Sequence, residues 1–324
     1  MLTNLRQKIL LSLVFAALVY LALTLYADAP KLAQALASWD WRWLAPTLVA
    51  VLANYGIRFA RWHYYLHVID INNVPPRPSL LIFLAGFSLT MVPGKLGELL
   101  KSVLLKSHYN IPVSYSASIV AAERLTDVMG MTLLAALGVS IFPMGAPALV
   151  VTLIGFVIIV VLIQSRALAE KLIDLLARLP VIGRFADLAK NMYESAYLML
   201  RLRPLIVSIV LAVLAWFGEC VALFLILLGF GMPASLDLLL RSTLIYAIAS
   251  LFGAATFMPG GLGATEGSMT SLLQLLVNAS ATIAAAATLL VRISTLWLAV
   301  ALGGIALLLF ERLEGKIETE KPGL

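Results

Sequence analysis

Arg124 and Arg292 lie inside long apolar runs. A guanidinium at membrane depth costs at least about 2.5–3.5 kcal/mol on insertion scales, so each needs a carboxylate or an anionic ligand. Arg124 has Glu123 beside it and Asp127 at i+3 on the same helical face, which leaves an internal ion pair and a ligand role equally open. Arg292 is flanked by Val291, Ile293, Ser294 and Thr295. Its partner must come from Glu266, Glu219 or a bound anion, and the lack of a local acid favours the anion.

The two arginines occupy the same place in an internal repeat. Met91-Val92-Pro93-Gly94-Lys95-Leu96-Gly97 matches Phe257-Met258-Pro259-Gly260-Gly261-Leu262-Gly263. Asn110 precedes Arg124 by the same fourteen residues that separate Asn278 from Arg292, and Arg124-Leu125-Thr126 answers Arg292-Ile293-Ser294. Three aligned landmarks, with a two-residue shift between the Pro-Gly motif and the others, make a duplication a better explanation than chance.

Each Pro-Gly pair can interrupt a helix, because proline removes a backbone donor and glycine frees the chain to reverse. The half-helix that follows starts inside the membrane with free N–H groups and a positive dipole end. Two such ends and two arginines, whose forked donors match phosphate, would form a phosphate receptor. Gly94, Gly97, Gly260, Gly261 and Gly263 would let an oxyanion approach the backbone; close helix packing is their other use. A merely kinked spanning helix is the alternative to a hairpin at each break.

Five acids, Glu98, Glu123, Asp127, Glu219 and Glu266, face those two arginines in the expected core. Lys95 and Lys101, at helical spacing from Glu98, would balance it. The remaining surplus of acid calls for protonation, a sodium ion or a cationic aminoacyl headgroup. His63 and His67 are four residues apart but have no third ligand nearby, so no metal is expected. Cys220 is the single cysteine and excludes an intrachain disulfide. No phosphate-binding loop of the G-x-x-x-x-G-K-[ST] kind occurs, and no cofactor is expected.

The elements that must position these residues are membrane helices. The chain is 62% hydrophobic and 12% charged, against roughly a quarter charged in a globular domain, and its mean hydropathy is +1.00. Spans are expected near 8–26, 44–66, 112–142, 147–165, 205–230 and 279–310, with re-entrant hairpins over 79–107 and 236–276 whose arms look too short to cross. The fold class is an all-α polytopic membrane protein with an inverted repeat. Its parts are an N-terminal helix and loop (1–42), a first repeat (43–142), a helix and basic connector (143–204), a second repeat (205–310) and a polar tail (311–324). The connector reads as one or two amphipathic helices divided at Leu179-Pro180.

A cleaved signal peptide is considered for the first run, which follows Arg6 and Lys8, but its apolar stretch is longer than such peptides use. The formal charge of +6 records loop orientation rather than a nucleic-acid partner. Arg6, Lys8, Arg58, Arg61, Arg77, Lys101, Lys106 and the connector mark the cytoplasmic side, with both termini there, and Lys31, Arg42 and Arg241 mark the other. On that assignment the hairpins enter from opposite sides, the arrangement in which transporters hold substrate near the midplane.

The ordered set Asn54-(x3)-Arg58-(x2)-Arg61-Trp62, PGKLGELLKS at 93–102 with Glu123-Arg124 following, Trp216-(x2)-Glu219, and PGGLGATEG at 259–267 with Arg292 following resembles the lysylphosphatidylglycerol synthase/flippase transmembrane family. The resemblance spans nearly the whole chain. It implies a flippase core with a cavity formed by the two hairpins, and it adds Arg58 and Arg61 to the candidate substrate-binding residues. The chain ends at Leu324 after a short polar tail, so no synthase domain is expected in it. The implied partners are membrane lipids: an anionic or aminoacylated phospholipid, or a polyprenyl-linked or hopanoid lipid. The implied location is a prokaryotic cytoplasmic membrane, and a homodimer is compatible with it.

Three functions remain to be separated. A flippase or scramblase carrying a lipid headgroup leads. A secondary transporter of a small anionic solute comes second. A lipid-modifying enzyme is weakest, since no nucleophile with a positioned base or metal triad is visible.

Overall fold

The computed structural model describes residues 2–91, 98–138, 146–177 and 186–319, and every regular element among them is helical. Helix α1 (Leu2–Tyr26) turns through 91° into α2 (Ala29–Ser38). Asp28 forms the corner with a φ of 64°, and Pro30 follows at the start of α2, where its missing N–H costs nothing. The first half continues with α3 (Leu44–Val68), α4 (Pro76–Ala85), α5 (Leu100–Tyr109) and α6 (Val113–Leu137). A connecting region holds α7 (Ala146–Gln164), α8 (Arg166–Ala177) and α9 (Ala186–Met199). The second half is α10 (Leu202–Gly229), α11 (Leu236–Ala255), α12 (Ala264–Val277) and α13 (Ala281–Arg292), which a π turn over Ile293–Trp297 joins to α14 (Leu298–Thr319).

Three stretches, Leu202–Gly229, Leu236–Ala255 and Ala281–Leu313, are long and apolar enough to cross a membrane, and the bent α1–α2 pair is a fourth. Helices α3 and α6 have 25 residues each. They carry Arg58 and Arg61, and Glu123, Arg124 and Asp127 respectively, and these charges make them less apolar than α10. The expectation of short arms holds for α4 and α5, with 10 residues each, and for α12 with 14, and is corrected for the first arm of the second hairpin. Helix α11 has 20 residues, about 30 Å at helical rise, which is a crossing length.

The second Pro-Gly break is a reversal and not a kink. Near the open end Arg241 of α11 donates to the carbonyl of Leu276 in α12. Near the tip Gly253 of α11 lies against Thr265 of α12, so closely that a methyl on Gly253 would overlap the threonine hydroxyl. The two contacts fix antiparallel arms. Between the arms Phe257, Gly260, Gly261 and Gly263 all have positive φ, a conformation open to glycine at little cost. In the first half, α4 and α5 approach each other at Gly86 and Lys101. Pro93, Gly94, Lys95 and Gly97 lie outside the described residues, as does the break expected at Leu179-Pro180.

The aligned landmarks have matching local structure. Asn110 and Asn278 both end a helix in the left-handed conformation, with φ of 55°. The next residue donates to a matched carbonyl in each case, Ile111 to Leu105 and Ala279 to Leu273, both at 3.3 Å. Asparagine tolerates this conformation better than other non-glycine residues.

Helices α3 and α10 run antiparallel at the centre. Asn54 donates to the carbonyl of Ala215 at 2.8 Å, and before α3 begins Asp40 N–H reaches the carbonyl of Gly229 at 3.0 Å. Trp39 donates to the carbonyl of Ile226 at 2.9 Å. The long helix of each half also meets the first hairpin arm of the other, with the α6 terminus at Gly138 facing Leu244 and Gly303 of α14 facing Leu84 and Ser88. Apolar packing divides between a cluster on α3–α6 and another on α10–α13. The charged residues collect where these meet.

Candidate functional site

Arg292 ends α13 just before the π turn. Its Nε donates to Glu266 Oε1 at 2.7 Å and its Nη2 to the carbonyl of Gly260 at 2.6 Å. Glu266 stands in the first turn of α12, where its other oxygen accepts the N–H of Gly263 at 2.7 Å. This is half of a capping box, with the carboxylate at the positive end of the helix dipole. The expectation of a free helix end for an anion is therefore corrected: Glu266 already occupies the end of α12. Of the partners foreseen for Arg292, the structure selects Glu266.

The first half holds a larger charge network. Arg124 pairs with Glu98 at 3.2 Å through Nε and with Asp127 at 3.0 Å through Nη2. Asp127 also accepts from Arg61 Nη2 at 2.6 Å and from Trp216 Nε1 at 2.9 Å. Arg61 is 1% exposed. It is therefore neither a loop charge nor open to a ligand, which corrects both readings of it. Lys101 pairs with Glu123 at 2.6 Å and stands 4.3 Å from the Trp62 ring centroid. That corrects the expected balance of Glu98 by Lys101, since the lysine leaves the hairpin face to reach α6.

The two halves share one construction. Glu98 precedes Arg124 by the same 26 residues that separate Glu266 from Arg292, and both pairs run through Nε. Sequence reasoning matched the arginines but not these acids. The signal was available, because Glu98 and Glu266 fall in register when the chain is aligned on Asn110 and Asn278.

Between the halves opens a cavity lined on one side by Tyr55, Arg58, Phe87, Glu98 and Arg124, and on the other by Trp216, Glu219, Tyr246, Gly260, Gly261 and Arg292. Its volume is about 150 Å³. That holds a few waters or one polar group of headgroup size, a water taking about 30 Å³ in the liquid. Of the predicted site residues, Arg58, Glu98, Arg124, Glu219, Gly260, Gly261 and Arg292 line it; Arg61, Glu123, Asp127, Pro259, Gly263 and Glu266 do not. Tyr55, Phe87 and Tyr246 were missed by sequence reasoning, because aromatic residues in apolar helices carry no sequence mark of facing a cavity.

The expected surplus of acid is also corrected. With Arg58, Arg61 and Lys101 inside, the cations Arg58, Arg61, Lys101, Arg124 and Arg292 equal in number the acids Glu98, Glu123, Asp127, Glu219 and Glu266. The Arg58 guanidinium lies 5.0 Å from the Phe87 ring centroid and 5.5 Å from that of Trp216. Tyr246 donates its hydroxyl to Glu219. Among the described residues no group of three His, Cys, Asp or Glu side chains is placed to hold a metal.

Long apolar helices, with paired charges and a cavity reached by charged side chains between them, define a polytopic integral membrane protein. Residues 9–303 match the family described as the lysylphosphatidylglycerol synthase TM region. The chain belongs to that family. A UPF0104 membrane protein of Methanothermobacter thermautotrophicus is 25% identical over 307 residues, 89% of each chain. A second UPF0104 membrane protein of that organism is 25% identical over 262 residues, covering 74% of this chain and 76% of its own. No solved structure matches.

Proposed function

We propose that the protein is a lipid flippase or scramblase in which the cavity between the halves carries a polar headgroup while the acyl chains stay in the bilayer. The observation that carries this reading is the cavity itself: a partly open space between apolar helices whose lining includes the charged side chains of Arg58, Glu98, Arg124, Glu219 and Arg292. Charges kept at such depth serve a pathway or a partner. The family's description, which names lysylphosphatidylglycerol, supports a phospholipid.

The halves are inverted copies and the hairpins are re-entrant. The antiparallel packing of α3 on α10 and the matched arginine–glutamate pairs support this. The basic connector, with Arg6, Lys8, Arg77 and Lys106, supports a cytoplasmic side for the connector and both termini; a prokaryotic cytoplasmic membrane is the location proposed. The role is transport and not catalysis: four of the five acids are engaged with cations, and no side chain is set as a nucleophile with a base. No nucleotide loop is visible, so movement is passive or ion-coupled.

Purified protein in liposomes with acyl-labelled fluorescent phospholipids tests the reading. Dithionite should quench the inner-leaflet label only where protein is present. If well-folded protein leaves every inner-leaflet lipid protected, the function passes to a transporter of small anionic solutes, which the cavity's size would suit.

A further inference from the structure

When each ion pair at the core is set aside, two oppositely charged groups among the described residues remain without an ion-pair partner at contact distance: Arg58 and Glu219. Among the described residues no carboxylate lies within ion-pair distance of Arg58, and its buried Nε has no acceptor. Its guanidinium is held by the faces of Phe87 and Trp216, a cation–π grip that leaves the hydrogen-bond donors unspent. Glu219 is 5% exposed, and its one partner, the Tyr246 hydroxyl, is neutral. Both residues line the same cavity. The other charges lining it, Glu98, Arg124 and Arg292, are already paired.

We propose that the cavity selects a net-neutral zwitterionic group, a phosphodiester carried by Arg58 and the ammonium on the same headgroup carried by Glu219. The inference rests on the transport reading only for the lipid as its source; a soluble phosphodiester-ammonium compound offers the same chemistry. Arg58 presents a planar fork that suits phosphate oxygens, and Glu219 offers an acceptor in a desolvated site. A purely anionic headgroup satisfies Arg58 and leaves Glu219 bare. A headgroup with two ammonium groups leaves one of them without a partner. One phosphate with one ammonium gives both residues a contact partner, where the open cavity leaves them to attract each other only at a distance, and a charge poorly paired at this depth is costly.

Two measurements on the full chain test this. In proteoliposomes, an acyl-labelled phosphatidylethanolamine should move about 10- to 100-fold faster than the matching phosphatidylglycerol, the span expected for one charged hydrogen bond. Glu219→Gln should bring that ratio close to one, and Glu219→Asp, which keeps the charge, should preserve the preference. In detergent, soluble glycerophosphoethanolamine should raise the unfolding temperature of the wild type more than glycerophosphoglycerol does, and Glu219→Gln should erase the difference. Movement of phosphatidylglycerol equal to or faster than phosphatidylethanolamine overturns the proposal, as does a ratio unchanged in Glu219→Gln. If no lipid moves but the soluble pair is discriminated through Glu219, the site stands and the lipid transport reading falls. If no lipid moves and the soluble pair is not discriminated, both fall.

Discussion

Arg292 and Glu266 are joined at 2.7 Å, and the same glutamate accepts the Gly263 N–H that starts α12. A single ion pair thus fastens the long helix of the second half to its hairpin tip. Arg124 and Glu98 join the long helix and hairpin of the first half in the same way, at 3.2 Å.

Breaking the Arg292–Glu266 pair from one side should cost more than removing both members. Arg292→Ala leaves a carboxylate that is 1% exposed without its cation, a loss of about 3–5 kcal/mol. The double variant Arg292→Ala/Glu266→Gln should recover a measurable part of the lost unfolding temperature in detergent. A double variant no more stable than Arg292→Ala would mean that the pair is not formed.

Asp127 should be the most sensitive acid of the first half, since it serves Arg61, Arg124 and Trp216 together. Asp127→Asn is expected to lower stability by about 3–5 kcal/mol, because a buried guanidinium loses its counter-charge. Glu98→Gln should cost clearly less, as Arg124 keeps Asp127. Thermal unfolding followed by tryptophan fluorescence ranks the two.

Gly253 should tolerate no side chain while Thr265 is present. Gly253→Ala drives a methyl into the Thr265 hydroxyl and is expected to cost about 1–3 kcal/mol by overpacking. Thr265→Ala in the same chain should return most of the loss. Equal stability of Gly253→Ala and wild type would argue against the close approach of α11 and α12.

The proposed inversion predicts opposite sidedness for the two hairpin ends. With Cys220 replaced by alanine, single cysteines at His108 and Asn278, both exposed at helix ends, should react with an impermeant maleimide from opposite faces of sealed vesicles. Reaction from the same face would rule out inverted halves.

Sequence reasoning reached what depends on short range. The apolar runs match several spans to within a few residues, as at α3, α10 and the continuous stretch Ala281–Leu313 that holds α13 and most of α14. The reversal at Pro259-Gly260 follows from glycines that accept positive φ. The Arg124–Asp127 pair follows from i+3 spacing on one helix. Asn110 and Asn278 were matched as equivalents, and they prove to be equivalent helix caps.

By itself, then, the sequence determined a membrane class, a recurring Pro-Gly, asparagine and arginine pattern, and a set of charges that could not stay in lipid alone. Apart from Arg124 with Asp127, which charges neutralise one another was decided by tertiary packing. Arg61 and Asp127 are 66 residues apart, and Lys101 and Glu123 are 22, so neither pair is set by helical spacing. They meet because α3, α5 and α6 are packed together, and their meeting leaves Arg58 and Glu219, among the described core residues, without an ion-pair partner. The register and rotation of packed helices fix which side chain faces which, and local periodicity along one helix carries no information about its neighbours.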